Sequence, residues 1–295
     1  MTKWTDKIII GDCLQIMADM PDNSVDICFA DPPFNLRKKY LSHHDRMAEE
    51  DYLQWTHRWI LQVVRVVKPE GSIFIHNIPK WLTHCAAVLN ELAHFRHWIA
   101  WHANGRPLGK TLLPSHYGIL YYTKSHKNFK FYDTRAPHTT CRKCHAYVKD
   151  YGGKENQRHP FGALVGDVWT DIHRIRHSCR RDLHPCQLPV HLLERLILLS
   201  TDAGDVVLDP FLGAGTTAMA AKKLGRHYIG IDIDEQYAQI ARDNIAQAKE
   251  STLHGFYVSR FLGKVVTIRD ADAKQIYGAP PAKSERASNN KRQAA

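Results

Sequence analysis

The chain has 295 residues, of which 44% are hydrophobic and 24% charged, with a formal net charge of +10. Values this near the globular average exclude wholesale disorder and fibrous repeats, and no apolar run reaches the roughly 18 residues that a membrane helix needs. The first ten residues mix Lys3, Asp6 and Lys7 with a short isoleucine run, too little for a signal-peptide core, so the chain reads as cytoplasmic.

In chain order, Ile8-Ile9-Ile10 suits a short buried strand, and residues 25–30 suit another that ends abruptly at Asp31-Pro32-Pro33. Over residues 48–67, Tyr52, Trp55, Trp59, Val63 and Val66 recur at helical spacing. Pro69-Glu70-Gly71 should stop that helix, with a strand over 72–76 following it. Residues 80–94 read as a helix, and 98–101 and 117–122 as strands. From about 124 to 180 the periodicity fades into basic, aromatic and glycine residues, the composition of an inserted loop-rich lobe. Regularity resumes with a helix over 189–200, a strand over 206–208, a helix over 216–224, a strand over 228–231 and a helix over 235–249. Strands alternating with helices predict an α/β fold, a mainly parallel sheet with helices on both faces.

The charge is unevenly spread. Residues 1–104 carry 11 basic and 12 acidic side chains, 105–195 carry 16 and 7, 196–282 carry 9 and 10, and 283–295 carry 4 and 1. The excess belongs to one central segment and a short tail. A concentrated basic block between two neutral stretches is either a solvated face or a surface for a polyanion.

Two turns carry chemistry. The stretch from Val206 through Asp209, Phe211, Gly213 and Gly215 to Thr216 is a strand, a glycine-rich turn and a helix start. Such glycines let a backbone approach a ligand closely. Asp232 ends the next strand, 17 residues beyond Gly215, where a carboxylate can accept from both hydroxyls of a ribose. The third glycine of a dinucleotide fingerprint is replaced by Ala218, and no Gly-Lys-Ser/Thr follows, which excludes a P-loop. The other turn is Asp31-Pro32-Pro33-Phe34. Its prolines remove two N–H donors and leave carbonyls and a carboxylate as acceptors beside an aromatic face. That combination suits an amino group on a planar heterocycle.

Together these motifs resemble the S-adenosylmethionine-dependent DNA amino-methyltransferases, which modify adenine N6 or cytosine N4. The order of catalytic turn, basic insertion and cofactor loop resembles the permuted β class, over roughly residues 7 to 250. The resemblance implies a Rossmann-like methyltransferase fold with a mostly parallel sheet, circularly permuted motif order and an inserted target-recognition lobe. The catalytic half would span 1–123, the recognition insertion 124–183, the cofactor half 184–250, a C-terminal extension 251–281 and a disordered tail 282–295.

It further implies that Asp209, Phe211, Gly213, Gly215 and Thr216 hold the cofactor's methionine end, Asp232 its ribose and Asp12 its adenine, with Asp31, Pro32, Pro33 and Phe34 catalytic. Leu188 stands where many members have Lys. The target base would be flipped from duplex DNA and attacked directly. Asp at position 31 leans towards adenine N6, with cytosine N4 the alternative and a catalytically inactive DNA-binding protein a third reading. Pro185-Cys186 resembles the nucleophile of cytosine-C5 enzymes but lies before the cofactor helix, and no Glu-Asn-Val accompanies it. Arg135, Arg142, Lys143, Arg158, Arg174 and Arg176 are the candidate DNA contacts. Homodimers are common in the family.

The seven cysteines leave one choice open. Cys141 and Cys144 have zinc-ligand spacing, and Cys179 and Cys186 complete a candidate structural zinc site, with His145, His177 and His184 as substitutes. Free thiols are the alternative.

Overall fold

The computed structural model describes residues 3–37, 45–102, 112–138, 158–175, 187–248, 256–258 and 265–278. Its first half comprises β1 (Lys7–Ile10), α1 (Cys13–Ala18), β2 (Val25–Ala30), α2 (Glu49–Val66), β3 (Val67–Asn77), α3 (Pro79–Leu92), β4 (His94–His102) and β5 (His116–Thr123). Short strands follow: β6 (Thr134–Pro137), β7 (Gly162–Leu164) and β8 (Val168–Trp169). The remainder is α4 (Val190–Ser200), β9 (Val206–Asp209), α5 (Thr216–Lys223), β10 (His227–Asp232), α6 (Glu235–Gln247), β11 (Phe256–Val258), β12 (Val265–Arg269) and α7 (Asp270–Tyr277).

Eight strands form one sheet in the order β1-β10-β9-β2-β3-β5-β4-β8. The first five run parallel, as expected. Beyond β3 the expectation fails, because β5 pairs antiparallel with both β3 and β4. An apolar run reveals a strand but carries no direction. Pro69-Glu70-Gly71 likewise does not separate helix from strand; α2 ends at Val66 and β3 starts at Val67.

The middle of the parallel region positions the site. From β9 the chain passes through α5 to β10 on one side, and from β2 through α2 to β3 on the other. The crevice between β9 and β2 is therefore the topological switch point, where open α/β sheets bind ligands at their carboxyl ends. Strand β2 is buried at all six positions, as a central parallel strand must be. Its side chains alternate between two cores, Cys28 and Ala30 facing the α1–α3 side and Ile27 and Phe29 the α4–α5 side. Asp26 is tolerated inside this strand because Lys68 Nζ lies 2.8 Å from one oxygen and the Val206 amide donates to the other at 2.9 Å. Helix α2 buries Tyr52, Thr56, Trp59, Ile60, Val63 and Val66 along one stripe, with Glu49, Glu50 and Asp51 at its positive end and Arg65 in its last turn.

The expected loop-rich lobe holds more order than its composition suggested. Strands β6 and β7 join β12 and β11 in a second sheet of order β11-β12-β6-β7. The insertion and the C-terminal extension, separate in the chain, thus share one sheet. This sheet is tied to α4: His191 Nε2 and Thr267 Oγ1 lie 2.7 Å apart, and Arg195 pairs with Asp171 at 2.5 Å. Burial and the neighbouring Arg195 push His191 down to about 3, so it is held uncharged as a packing residue.

That arrangement corrects one expectation. Arg135 does not face outward. It is buried, paired with Asp270, and donates from a second nitrogen to the Gly162 carbonyl at 2.7 Å. Lys124, Lys130 and Arg195 are also spent internally, on the Val67 carbonyl, Asp205 and Asp171. The basic excess of residues 105–195 therefore overstates what that segment offers a polyanion.

Candidate active site

The turns after β9 and β2 open into a shared cleft of about 590 Å³. Every residue expected to bind cofactor except Gly215, and all four of the Asp-Pro-Pro-Phe turn, line it.

On the cofactor side, the loop is held by its own carboxylates. Asp209 Oδ1 accepts from the Phe211 amide at 2.9 Å, and Asp232 accepts from the Gly213 amide at 2.7 Å and the Asp234 amide at 2.8 Å. Phe211 packs against Trp55 and Trp59, with ring centroids 5.5 and 5.4 Å away. Gly215 has φ +83°, and a Cβ there would sit 2.7 Å from the Ala241 Cβ, so the loop lies directly on α6. Asn244 on α6 donates to the Ala214 carbonyl at 2.9 Å. Asp12 caps α1 through the Leu14 amide at 2.9 Å. Burial raises Asp209 to about 7 and Asp232 to about 6, the usual result of enclosing carboxyls. Leu188 also lines the cleft and packs on the α4–α5 core, so an apolar contact occupies the position where the resembled family often has Lys.

The catalytic turn is clamped more heavily than its sequence suggested. The Tyr52 hydroxyl donates to the Pro33 carbonyl at 2.7 Å, and Trp81 Nε1 donates to the Phe34 carbonyl at 2.7 Å. Two of the three successive carbonyls are thus tied down, and Pro32 supplies the third. Asn35 then exchanges two hydrogen bonds with the Met47 backbone, at 2.8 and 3.0 Å. Asp31 Oδ1 lies 2.7 Å from His76 Nδ1. The Phe34 ring sits 5.5 Å from His76 and 6.0 Å from Tyr117.

Sequence reasoning missed Tyr52 as a clamp, Trp81 and His76. Tyr52 reads in the sequence only as part of a helix stripe. His76 closes an apolar strand at its carboxyl end, the edge where α/β sites lie, and that placement was the available signal.

Of the candidate DNA contacts, Arg174 lies over the Tyr117 ring, 5.4 Å from its centroid, and so borders the catalytic turn. Arg158 is half-buried. Arg142, Lys143 and Arg176 lie outside the described residues, as do Cys141, Cys144, Cys179 and Cys186. Among the described residues no group of three or more His, Cys, Asp or Glu side chains is placed to hold a metal ion. The described cysteines, Cys13, Cys28 and Cys85, are buried, and desolvation pushes Cys13 and Cys85 up to about 12, which keeps them unreactive thiols. No helix among the described residues is long and apolar enough to cross a membrane.

A glycine loop, a strand-end carboxylate and an acceptor-rich turn meeting at a switch point define an enzyme of the nucleoside-cofactor group-transfer class. Residues 25–243 match the family described as DNA methylase, whose members methylate amino nitrogens of adenine N6 or cytosine N4 type, and the chain belongs to that family. It is 44% identical over 229 residues to the type II methyltransferase M.BamHI of Bacillus amyloliquefaciens, a match covering 77% of this chain and 54% of that protein, so the chain spans about half the length of that relative. It is 31% identical over 239 residues to the DNA adenine methyltransferase YhdJ of Escherichia coli K12, covering 79% and 80%. Among solved structures, the DNA modification methylase TTHA0409 of Thermus thermophilus superposes with a TM-score of 0.55 at 26% identity, covering 82% of this chain and 94% of that one. The cytosine-N4-specific PvuII DNA methyltransferase shares the fold, with a TM-score of 0.58 at 16% identity, covering 83% and 88%.

Proposed function

We propose that this protein transfers a methyl group from S-adenosylmethionine to an exocyclic amino group in duplex DNA, adenine N6 in the first instance. The observation that carries this reading is the meeting of Asp31 and the Gly213–Gly215 loop in one cleft. The relatives named as DNA methyltransferases support it.

The residues present fit the cofactor. Asp12 and Asp232 spend part of their accepting capacity on their own turns and keep lone pairs for hydroxyl and amino donors. The aromatic wall of Phe211 and the small residues of the loop leave room for a nucleoside with an amino-acid tail. Bound there, S-adenosylmethionine supplies an electrophilic methyl group. Asp31 Oδ2 and the Pro32 carbonyl accept the two hydrogens of the target amine, whose lone pair is otherwise delocalised into its ring. The nitrogen pyramidalises and its lone pair becomes the nucleophile. Phe34 stacks on a base turned out of the helix, which is necessary because the amine is out of reach within the duplex. The carboxylate also receives the proton shed by the methylated nitrogen. Placement and electrostatics provide the catalysis, with no covalent bond between protein and base. Arg174, Arg158 and the basic residues 142, 143 and 176 would meet the phosphates.

Mass spectrometry of nucleosides from treated DNA tests this. 6-Methyladenine is expected. 4-Methylcytosine in its place would move the target to cytosine while leaving the role of Asp31 intact, and no methylated base would reject the activity.

Cofactor binding should also depend on pH. Ribose hydroxyls need an acceptor, so binding selects ionised Asp232. With that group at about 6, S-adenosylmethionine affinity should weaken about tenfold between pH 7 and pH 5. The folded state holds the Asp232 proton more tightly than the unfolded chain does. Its contribution to stability therefore rises as pH falls through this window, and weaker binding there is not unfolding. Calorimetric titration across the range checks this, and Asp232→Asn should flatten the profile.

A further inference from the structure

His76 is the buried polar group beside the reaction centre that the mechanism above leaves without a task. It is 2% exposed, on β3, next to the strand that delivers the catalytic turn. Ala30 and Ile75 are register partners, so the residues that follow each, Asp31 and His76, emerge side by side from neighbouring parallel strands. Their side chains meet at 2.7 Å.

The ring is held from several sides. Tyr117, Phe34 and Trp101 pack around it at centroid distances of 5.3, 5.5 and 5.6 Å. Nδ1 faces Asp31, whereas Nε2 is buried without a hydrogen-bond partner. This asymmetry selects a tautomer. A proton on Nε2 would bury an unsatisfied donor, at a cost of about 1–3 kcal/mol, whereas a proton on Nδ1 is received by the carboxylate. His76 Nδ1–H therefore donates to Asp31 Oδ1.

We infer that His76 is a positioning residue for methyl transfer: its Nδ1–H occupies Asp31 Oδ1 and so fixes Oδ2 as the oxygen that meets the target amine, while the same ring sets the angle of Phe34. A carboxylate turns readily about its last torsion, whose preference is broad and two-fold. Without the histidine, Oδ1 and Oδ2 exchange freely and the acceptor is aligned with the amine for only part of the time. Holding the carboxylate and the stacking ring with one buried imidazole couples the two parts of the site that must both fit the flipped base. The inference rests on the amino-methyl transfer proposed above.

The test uses the full chain, tritiated S-adenosylmethionine and plasmid DNA, with turnover, the KM for DNA, cofactor affinity and melting temperature measured for two variants. His76→Phe keeps the ring packing but removes the donor. His76→Asn places an amide N–H close to the position of Nδ1. His76→Phe should lower kcat about 100-fold with cofactor affinity and the KM for DNA within about twofold, and His76→Asn should recover at least tenfold of that loss. Near-normal turnover in His76→Phe would overturn the inference, as would equal losses in both variants. A His76→Phe protein that fails to bind cofactor or melts early would assign His76 to the fold alone and overturn it too. A wild-type protein that methylates no base would reject the functional reading itself, an outcome distinct from all of these.

Discussion

Replacing Asp31 with alanine should lower methyl transfer by about 10³- to 10⁴-fold while S-adenosylmethionine affinity changes by no more than about twofold. The carboxylate holds no part of the cofactor loop; its partner is His76, at 2.7 Å. What it supplies is an acceptor for the target amine and a destination for its proton, and both matter only once the base is in place. Alanine removes these and leaves the Pro32 carbonyl as the single acceptor. The backbone of the turn should survive, because Tyr52 and Trp81 hold the Pro33 and Phe34 carbonyls independently of the Asp31 side chain. Asp31→Asn is the sharper companion. It keeps an oxygen and the size of the side chain but loses the charge and the ability to take a proton, so it should fall between the two. Turnover by single-turnover assay, beside cofactor binding by calorimetry, separates these effects. Near-normal turnover in Asp31→Ala would remove Asp31 from the chemistry.

Gly215→Ala should destabilise the protein by about 2–4 kcal/mol and weaken cofactor binding. Two costs add. The residue adopts φ +83°, where any side chain is strained. Its Cβ would also meet Ala241 on α6, 2.7 Å from the Cβ and 2.9 Å from the Cα, so that helix must shift. Gly204 provides the control, because its φ is +84° but nothing lies within 4 Å of an added Cβ. Gly204→Ala should therefore show the backbone cost alone, about 1 kcal/mol. Pairing Gly215→Ala with Ala241→Gly should restore part of the loss, since the nearest carbon is gone while the Cα and the backbone strain remain. Urea denaturation measures all four variants. Equal costs at Gly215 and Gly204 would show that the close approach to α6 does not matter.

Much of the candidate site was legible because its residues are consecutive or nearly so. Asp31 to Phe34 and Asp209 to Thr216 are short turns directly after apolar strands, and a turn's chemistry depends on its own residues. That both turns line one cleft with Asp12 and Asp232 follows from strand–helix alternation, which sends them to the same end of a parallel sheet. The reading was weakest between residues 124 and 180. Strands there are two to four residues long, too short to show a period, and β6 pairs with β12, more than a hundred residues further on. Arg135 was misplaced for the same reason. A basic residue in a basic segment looks like a contact for phosphate until its partner, Asp270, is found 135 positions away.

What the amino acids by themselves determined was the order of the elements, the parallel half of the sheet and which turns carry carboxylates, glycines and an aromatic face. Each of these follows from local propensity, period or backbone restriction. The tertiary structure alone decided the direction of β5, the sharing of one sheet by the insertion and the C-terminal extension, and the internal pairing of Lys124, Lys130, Arg135 and Arg195. It also decided that His76 rather than solvent faces Asp31, 45 residues away in the chain. Such choices depend on which distant side chains burial brings together, because a buried charge or donor must find its partner wherever the fold has placed one.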